Sequence, residues 1–317
     1  MKTGLTGRLC RLASVLACAS VLSSCGISKA FLSNSPRYHA GVANPTGYAP
    51  EGTLEECVYR CSVEGPESRR MLVYLPKGYH DTETRYPVLY LLHGARGYET
   101  SWVKKGTLLQ LTDSLFREGL AEPCIVVTPN MNQYKDDSDF DDSRYKDMFE
   151  SVFEVDGAVE SSFVEDVVGY VDSHFRTLAR KESRAIAGLS IGGLQSMYIS
   201  ANNPASFDYV GLFSPMCGII RKAGPHSSFY RDRREKQSVQ FSEGNSPLLY
   251  NIYVGKGDVV YPQVRMYTRY MDRMGFPYDV YYTRGDHDWP NWKAYYIDLL
   301  QRLWKKEPVE LAPIVIR

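Results

Sequence analysis

One joint constrains what this chain can fold into more than any other stretch: RAIAGLSIGG, Arg184 to Gly193. Arg184-Ala185-Ile186-Ala187 has the character of the end of a short buried strand. After Ser190, the residues Ile191, Leu194, Met197 and Tyr198 recur at helical spacing, and Asn202-Asn203-Pro204 stops the pattern. Ser190 therefore falls at a strand-to-helix joint. Gly188 and Gly192 stand two residues to either side, which is the G-x-S-x-G nucleophile elbow. So tight a turn strains the serine backbone, and a side chain at either glycine would clash with the adjoining strand or helix. The hydroxyl is held clear of the sheet. The Ile191 amide, at a helix N-terminus, points to where an oxyanion would form.

The rest of the chain has a matching rhythm. Strand-like runs occur at Glu56–Val63, Arg70–Leu75, Pro87–Leu92, Cys124–Thr128, Ala185–Leu189, Tyr209–Phe213, Leu248–Val254 and Pro277–Thr283. Helical periodicity falls between them at Leu108–Glu118, Val264–Met274 and Trp292–Trp304. Phe163, Val167, Val171 and Phe175 add a stripe spaced by four. Antiparallel-looking strands followed by strand–helix alternation predict an α/β fold, a mostly parallel sheet covered by helices on both faces.

A serine is a poor nucleophile without a base. Of the six histidines, His39 lies in a polar N-terminal stretch and His80 in a polar turn. His174 lies on an amphipathic helix, and His226 in a charged loop. His93 follows the apolar run Val88–Leu92 and precedes Gly94. In the α/β-hydrolase arrangement such a corner supplies the second oxyanion amide, here that of Ala95, and His93 itself is structural. His287, in RGDHDWPNW, follows the last strand-like run and precedes the last helix, where the base stands in the order serine, acid, histidine. The expected acid is Asp258, leaving the strand Leu249–Val254 through Gly255-Lys256-Gly257. Asp286 and Asp288 flank the histidine, but loop neighbours rarely fold back onto the ring.

Two segments break the rhythm, Asn130–Glu160 and Gly218–Ser246. Both leave C-terminal ends of strands, where ligands bind in open α/β sheets. The aspartates from Asp136 to Asp142 lack the glycine at position six and the closing glutamate of a calcium loop. No cysteine–histidine spacing suggests zinc, and acyl transfer by an activated serine needs no metal or organic cofactor, so none is expected. Cys57 and Cys61, placed on one strand, would be ~13 Å apart, too far for a disulfide, and free cysteines are expected. Three of the 37 basic residues lie within the first 24, leaving 34 against 37 acidic ones. That balance, with no basic stripe, argues against a nucleic-acid partner.

The N-terminus reads as an export signal. Lys2, Arg8 and Arg11 precede an apolar stretch from Leu12 to Leu22, too short for a ~20-residue spanning helix. Leu22-Ser23-Ser24-Cys25 resembles the bacterial lipobox, which implies lipidation of Cys25 and a lipid-anchored place in the cell envelope. The expected organisation is a signal at 1–24, a tether at 25–51 and one catalytic domain at 52–317.

Taken together, the motifs resemble the esterase D/putative esterase family of α/β-hydrolases. That family includes feruloyl and acetyl-xylan esterases of carbohydrate esterase family one, S-formylglutathione hydrolase and relatives of siderophore esterases. The matching stretches are VYLPKGY (73–79), RYPVLYLLHGARGYETSWVKKG (85–106), IVVTPN (125–130), FVEDVVGYVDSHFRT (163–177), RAIAGLSIGGLQSM (184–197), FDYVGLFS (207–214), GKGD (255–258) and GDHDWPNW (285–292). The resemblance implies a serine esterase with Ser190, Asp258 and His287 as its triad and Ala95 with Ile191 as its oxyanion hole. Two departures bear on substrate: Asp286 stands where the family often has glycine, as does Arg96. Trp102 and Arg96 are the expected substrate contacts. The expected substrate is an acylated carbohydrate. A siderophore or other small ester is the alternative, and a non-catalytic carbohydrate-binding module on the same fold is the reading from another class.

Overall fold

The computed structural model describes residues 47–63, 68–132, 157–218 and 226–305. Among the described residues eight strands form one sheet: β1 (Thr53–Arg60), β2 (Ser68–Leu75), β3 (Val88–Leu92), β4 (Ile125–Pro129), β5 (Arg184–Leu189), β6 (Tyr209–Phe213), β7 (Leu249–Gly255) and β8 (Asp279–Thr283). Their order across the sheet is β1-β2-β4-β3-β5-β6-β7-β8. β1–β2 and β2–β4 pair antiparallel, and every pair from β4–β3 onward is parallel. This is the architecture of the α/β-hydrolases. β1 begins three residues before the expected start, because it pairs with β2 along its whole length, from Thr53 opposite Leu75 to Arg60 opposite Ser68. Cys61 thus lies past the strand, and Cys57, Cys61, Cys124 and Cys217 are all free thiols.

Buried strands alternate between two cores. Val88, Tyr90 and Leu92 of β3 face one cluster, with Phe163, Met197 and Val210, while Leu89 and Leu91 face the other, with Trp102, Leu109 and Leu299. Burying each such aliphatic side chain contributes about 1.5–3 kcal/mol. This is why β3 and β4 read as unbroken apolar runs: a strand covered on both faces has no polar side to show.

The helices are α1 (Ser101–Lys104), α2 (Leu108–Arg117), α3 (Ala158–Phe163), α4 (Gly169–His174), α5 (Ile191–Asn202), α6 (Arg233–Gln240), α7 (Tyr261–Met274) and α8 (Trp289–Arg302). A π-helical segment, Val164–Val168, joins α3 to α4. It accounts for the stripe of strict fours. At 3.6 residues per turn each step of four drifts by about 40°, and a wider π turn draws the stripe back. Phe163, Val167 and Val171 are accordingly all buried.

Two expectations change here. The segment Gly218–Ser246 is not simply a loop: it contains a short 3-10 turn, Ser227–Tyr230, and then α6. RREKQSVQ shows no apolar stripe, because the side chains that α6 buries are Gln237 and Gln240. Nor is the chain before residue 52 wholly a tether, since Tyr48 Oη and the Glu51 N–H both donate to Asp113 Oδ2 on α2, each at 3.0 Å. The acidic run at 136–142, most of the 130–160 segment and Cys25 lie outside the described residues. No helix among the described residues is long and apolar enough to cross a membrane.

Candidate active site

β5 delivers Ser190 to the middle of the sheet's C-terminal edge. Its backbone stands at φ 57°, ψ −115°, in a region non-glycine residues seldom occupy. The strain is held in place from both sides. The Ser190 N–H donates to Phe213 O at 2.8 Å, and the Met216 N–H donates to Ser190 O at 3.2 Å. The flanking glycines are required sterically: a Cβ on Gly188 would enter the Gly192 backbone, and one on Gly192 would enter the Leu92–His93 backbone. The elbow works only because helix, strand and β3 loop touch without side chains between them.

β7 and β8 supply the partners. Asp258 leaves β7 in a tight turn, its N–H donating to Gly255 O at 3.1 Å. Its buried carboxylate accepts from the Val260 N–H at 2.9 Å and from His287 Nδ1 at 2.9 Å (Oδ1) and 3.1 Å (Oδ2). His287 Nε2 lies 2.9 Å from Ser190 Oγ. With Nδ1 donating to the carboxylate, Nε2 is left to accept the serine hydroxyl proton. Asp288, one of the two neighbouring aspartates, instead caps α8 by accepting from the Asn291 N–H at 3.2 Å.

The oxyanion side is assembled by the β3 loop. Gly94 approaches Ser190 so closely that a Cβ on it would meet Ser190 Cβ at 3.3 Å, which brings Ala95 to the nucleophile's flank. Among the described residues neither the Ala95 nor the Ile191 amide donates a hydrogen bond. Two uncommitted N–H groups beside a nucleophile are what a developing oxyanion needs.

His93 holds that loop from beneath. Its Nδ1 donates to Gly94 O at 2.8 Å, and its Nε2 accepts from the Met131 N–H at 2.9 Å. Only a neutral ring can do both. Burial pushes its pKa down from 6.5 to about 4. The unfolded ring binds a proton below about pH 6.5 and the folded ring only below about pH 4, so stability is complete above 6.5 and falls between the two. The loss is roughly 3 kcal/mol at pH 4. Denaturation midpoints at pH 7 and pH 4.5 should therefore differ more for the wild type than for His93→Gln. Equal shifts in the two proteins would remove His93 as the source.

Trp102 requires correction. It is 0 % exposed, a core residue with no face for a ligand. Its indole N–H donates to Leu92 O at 3.1 Å, and its ring packs edge-on against Trp289 at 5.3 Å and Phe213 at 6.1 Å. α1 turns it inward because a side chain of that size is stabilised most by full burial. Arg96 stands half-buried in the oxyanion turn, at φ 57°. A residue that went without a role in the sequence reading is Trp292, whose ring meets the His287 imidazole at 5.0 Å and 89°. The signal was a tryptophan five residues after the histidine, on the first turn and a half of a helix, but its direction was not legible. No group of acidic, histidine or cysteine side chains among the described residues has the grouping of a metal site.

The family model described as "Putative esterase" matches residues 62–303. An endo-1,4-beta-xylanase/feruloyl esterase of Xylanibacter ruminicola is 36% identical over 146 residues, 45% of this chain and 19% of the relative. Endo-1,4-beta-xylanase Y of Acetivibrio thermocellus is 27% identical over 187 residues, 54% of this chain and 15% of the relative. The chain thus spans less than a fifth of the length of the curated relatives it matches. Among solved structures, a CE1 ferulic acid esterase of the anaerobic fungus Anaeromyces mucronatus superposes with a TM-score of 0.64 at 27% identity. That match covers 81% of this chain and 92% of the other.

Proposed function

The chain belongs to the putative esterase family, and from that premise we propose that it is a serine carboxylic-ester hydrolase that removes acyl groups, of acetyl or feruloyl type, from carbohydrate. The observation that carries the catalytic part is the unbroken relay Ser190–His287–Asp258, with hydrogen bonds of 2.9 Å at both ends of the imidazole. Ser190 Oγ attacks the ester carbonyl while His287 Nε2 takes its proton. Asp258 holds the ring in the required tautomer and stabilises the imidazolium. The Ala95 and Ile191 amides receive the oxyanion. Collapse of the intermediate releases the alcohol, which takes the proton from His287, and leaves an acyl-Ser190. Water, deprotonated by His287, then releases the acid. Every step uses side chains and amides of this chain.

The carbohydrate reading is supported by the ferulic acid esterase likeness and by the feruloyl esterase relative. The stretches 130–160 and 218–246 support it too, being rich in charged residues and poor in the apolar side chains that would wall a long acyl chain. Burying a long acyl chain contributes about 0.8 kcal/mol per CH₂ only where apolar walls receive it. Activity should therefore be highest on acetylated or feruloylated sugars and fall along a p-nitrophenyl series from acetate to dodecanoate. A kcat/KM that climbs to dodecanoate, with no turnover of acylated sugars, would point to a general lipolytic esterase.

We further propose a lipid-anchored place in the cell envelope, from the match of Leu22–Cys25 to the lipobox. Cys25→Ser should move the protein from the detergent phase to the aqueous phase, or leave it as precursor. Unchanged detergent partitioning of the variant would refute the anchor.

A further inference from the structure

His287 rides on the short connection between β8 and α8, and a single side chain grips that connection on both sides of it. Asn291, on the first turn of α8, is 0 % exposed. Its Nδ2 donates to Asp286 O at 2.7 Å and to Asp288 Oδ1 at 3.0 Å. Its Oδ1 accepts from Tyr295 Oη at 3.4 Å. Gly285, at φ 99°, is pressed against the same amide, since a Cβ on it would meet Asn291 Oδ1 at 2.9 Å. Tyr295 in turn shares a hydrogen bond of 2.7 Å with Thr283 Oγ1, the last residue of β8. The chain of contacts runs from sheet to helix and closes on the residues just before and just after the histidine.

We infer that Asn291 is the positioning residue of the catalytic base: it sets where the His287 backbone stands, and so keeps Nε2 on Ser190 and Nδ1 on Asp258 together. The inference rests on the role of His287 as base. The chemistry at Asn291 calls for an amide. Two donors and an acceptor must be offered from one short side chain, which among residues of that size only asparagine provides. Aspartate has no donor and would face the Asp288 carboxylate. An apolar residue would leave Asp286 O without its partner. Displacement of a catalytic group by about 1 Å costs on the order of 100-fold in rate, so the grip matters although Asn291 touches no reacting atom.

The test is a double-mutant cycle on the full chain, assayed with p-nitrophenyl acetate. Asn291→Ala should lower kcat by about 10- to 100-fold with KM changed less than twofold. In the His287→Ala background, where there is no base to position, the same substitution should change the residual rate less than twofold. A general loosening of the fold would instead reduce both backgrounds by the same factor, and that result overturns the inference, as does an unchanged kcat in Asn291→Ala. If Asn291→Ala melts below the assay temperature, Asn291→Asp keeps the shape, drops both donors and is held to the same two numbers. Wild-type turnover by His287→Ala alone would overturn the assignment of the base, and the inference with it, and is a different outcome from equal losses in both backgrounds.

Discussion

Ser190→Ala should lower kcat on p-nitrophenyl acetate by at least about 10⁴-fold and abolish labelling by a fluorophosphonate, while the fold survives. The loss is large because Oγ is the atom that becomes covalent, and a triad without its nucleophile retains only what binding and the oxyanion amides supply. The fold should survive because the elbow is built from backbone: the Ser190 N–H bond to Phe213 O and the Met216 N–H bond to Ser190 O are untouched. Alanine at φ 57° is no more strained than serine there. Tm should stay within about 4 °C, the shift expected of a 1 kcal/mol change in a domain of this size. The measurement also separates an esterase from a carbohydrate-binding module on the same fold. A wild-type chain that neither turns over esters nor takes the fluorophosphonate, yet binds polysaccharide, would favour the module, and near wild-type turnover in the variant would sink the elbow assignment.

Asp258→Asn should cost about 10³- to 10⁴-fold in kcat with little change in KM, for a reason of tautomer rather than shape. In the wild type the carboxylate accepts from both His287 Nδ1 and the Val260 N–H. An asparagine whose carbonyl oxygen keeps the Oδ1 place on Val260 puts its NH₂ in the place of Oδ2, 3.1 Å from Nδ1, where two N–H donors oppose each other. That opposition favours the tautomer with its proton on Nε2, which can no longer take the proton of Ser190 Oγ, and the neutral amide gives the imidazolium no counter-charge. The ring stays near the serine in the wrong protonation pattern. Loss of activity with an unchanged melting curve is the expected pair of results, and retention of more than a tenth of wild-type kcat would show that Asp258 does not set the tautomer.

Much of the site could be read from residues because its constraints are local or follow chain order. The elbow is a steric statement about five consecutive residues, and Ser190 takes the strained backbone that Gly188 and Gly192 predict. Asp258 and His287 follow strands recognisable by their apolar runs, and the fold orders the acid before the base. His93 was separable from His287 because it sits between an apolar strand and a glycine that must approach the nucleophile.

Orientation was harder. Trp102 lies in the right stretch of sequence and in the wrong direction, since one short turn of helix can point a tryptophan into the core or out of it. α6 was missed because its inward face is amide, with Gln237 and Gln240 buried where a periodicity argument looks for leucine. Asn291 looked like an ordinary residue of a helix start, and its significance lies in what surrounds its amide.

By itself the sequence determined the strand runs, the sheet class, the elbow and which serine, aspartate and histidine to propose as nucleophile, acid and base, because backbone sterics and side-chain alternation act within a few residues. Only the tertiary structure decided that groups 97 and 29 residues apart meet at 2.9 Å, that Trp292 backs the imidazole, and that Asn291 grips its loop. Those facts depend on how β5, β7 and β8 stand side by side and which way each loop turns at their ends. Such choices come from packing summed over the whole sheet, and no short stretch of chain encodes that sum.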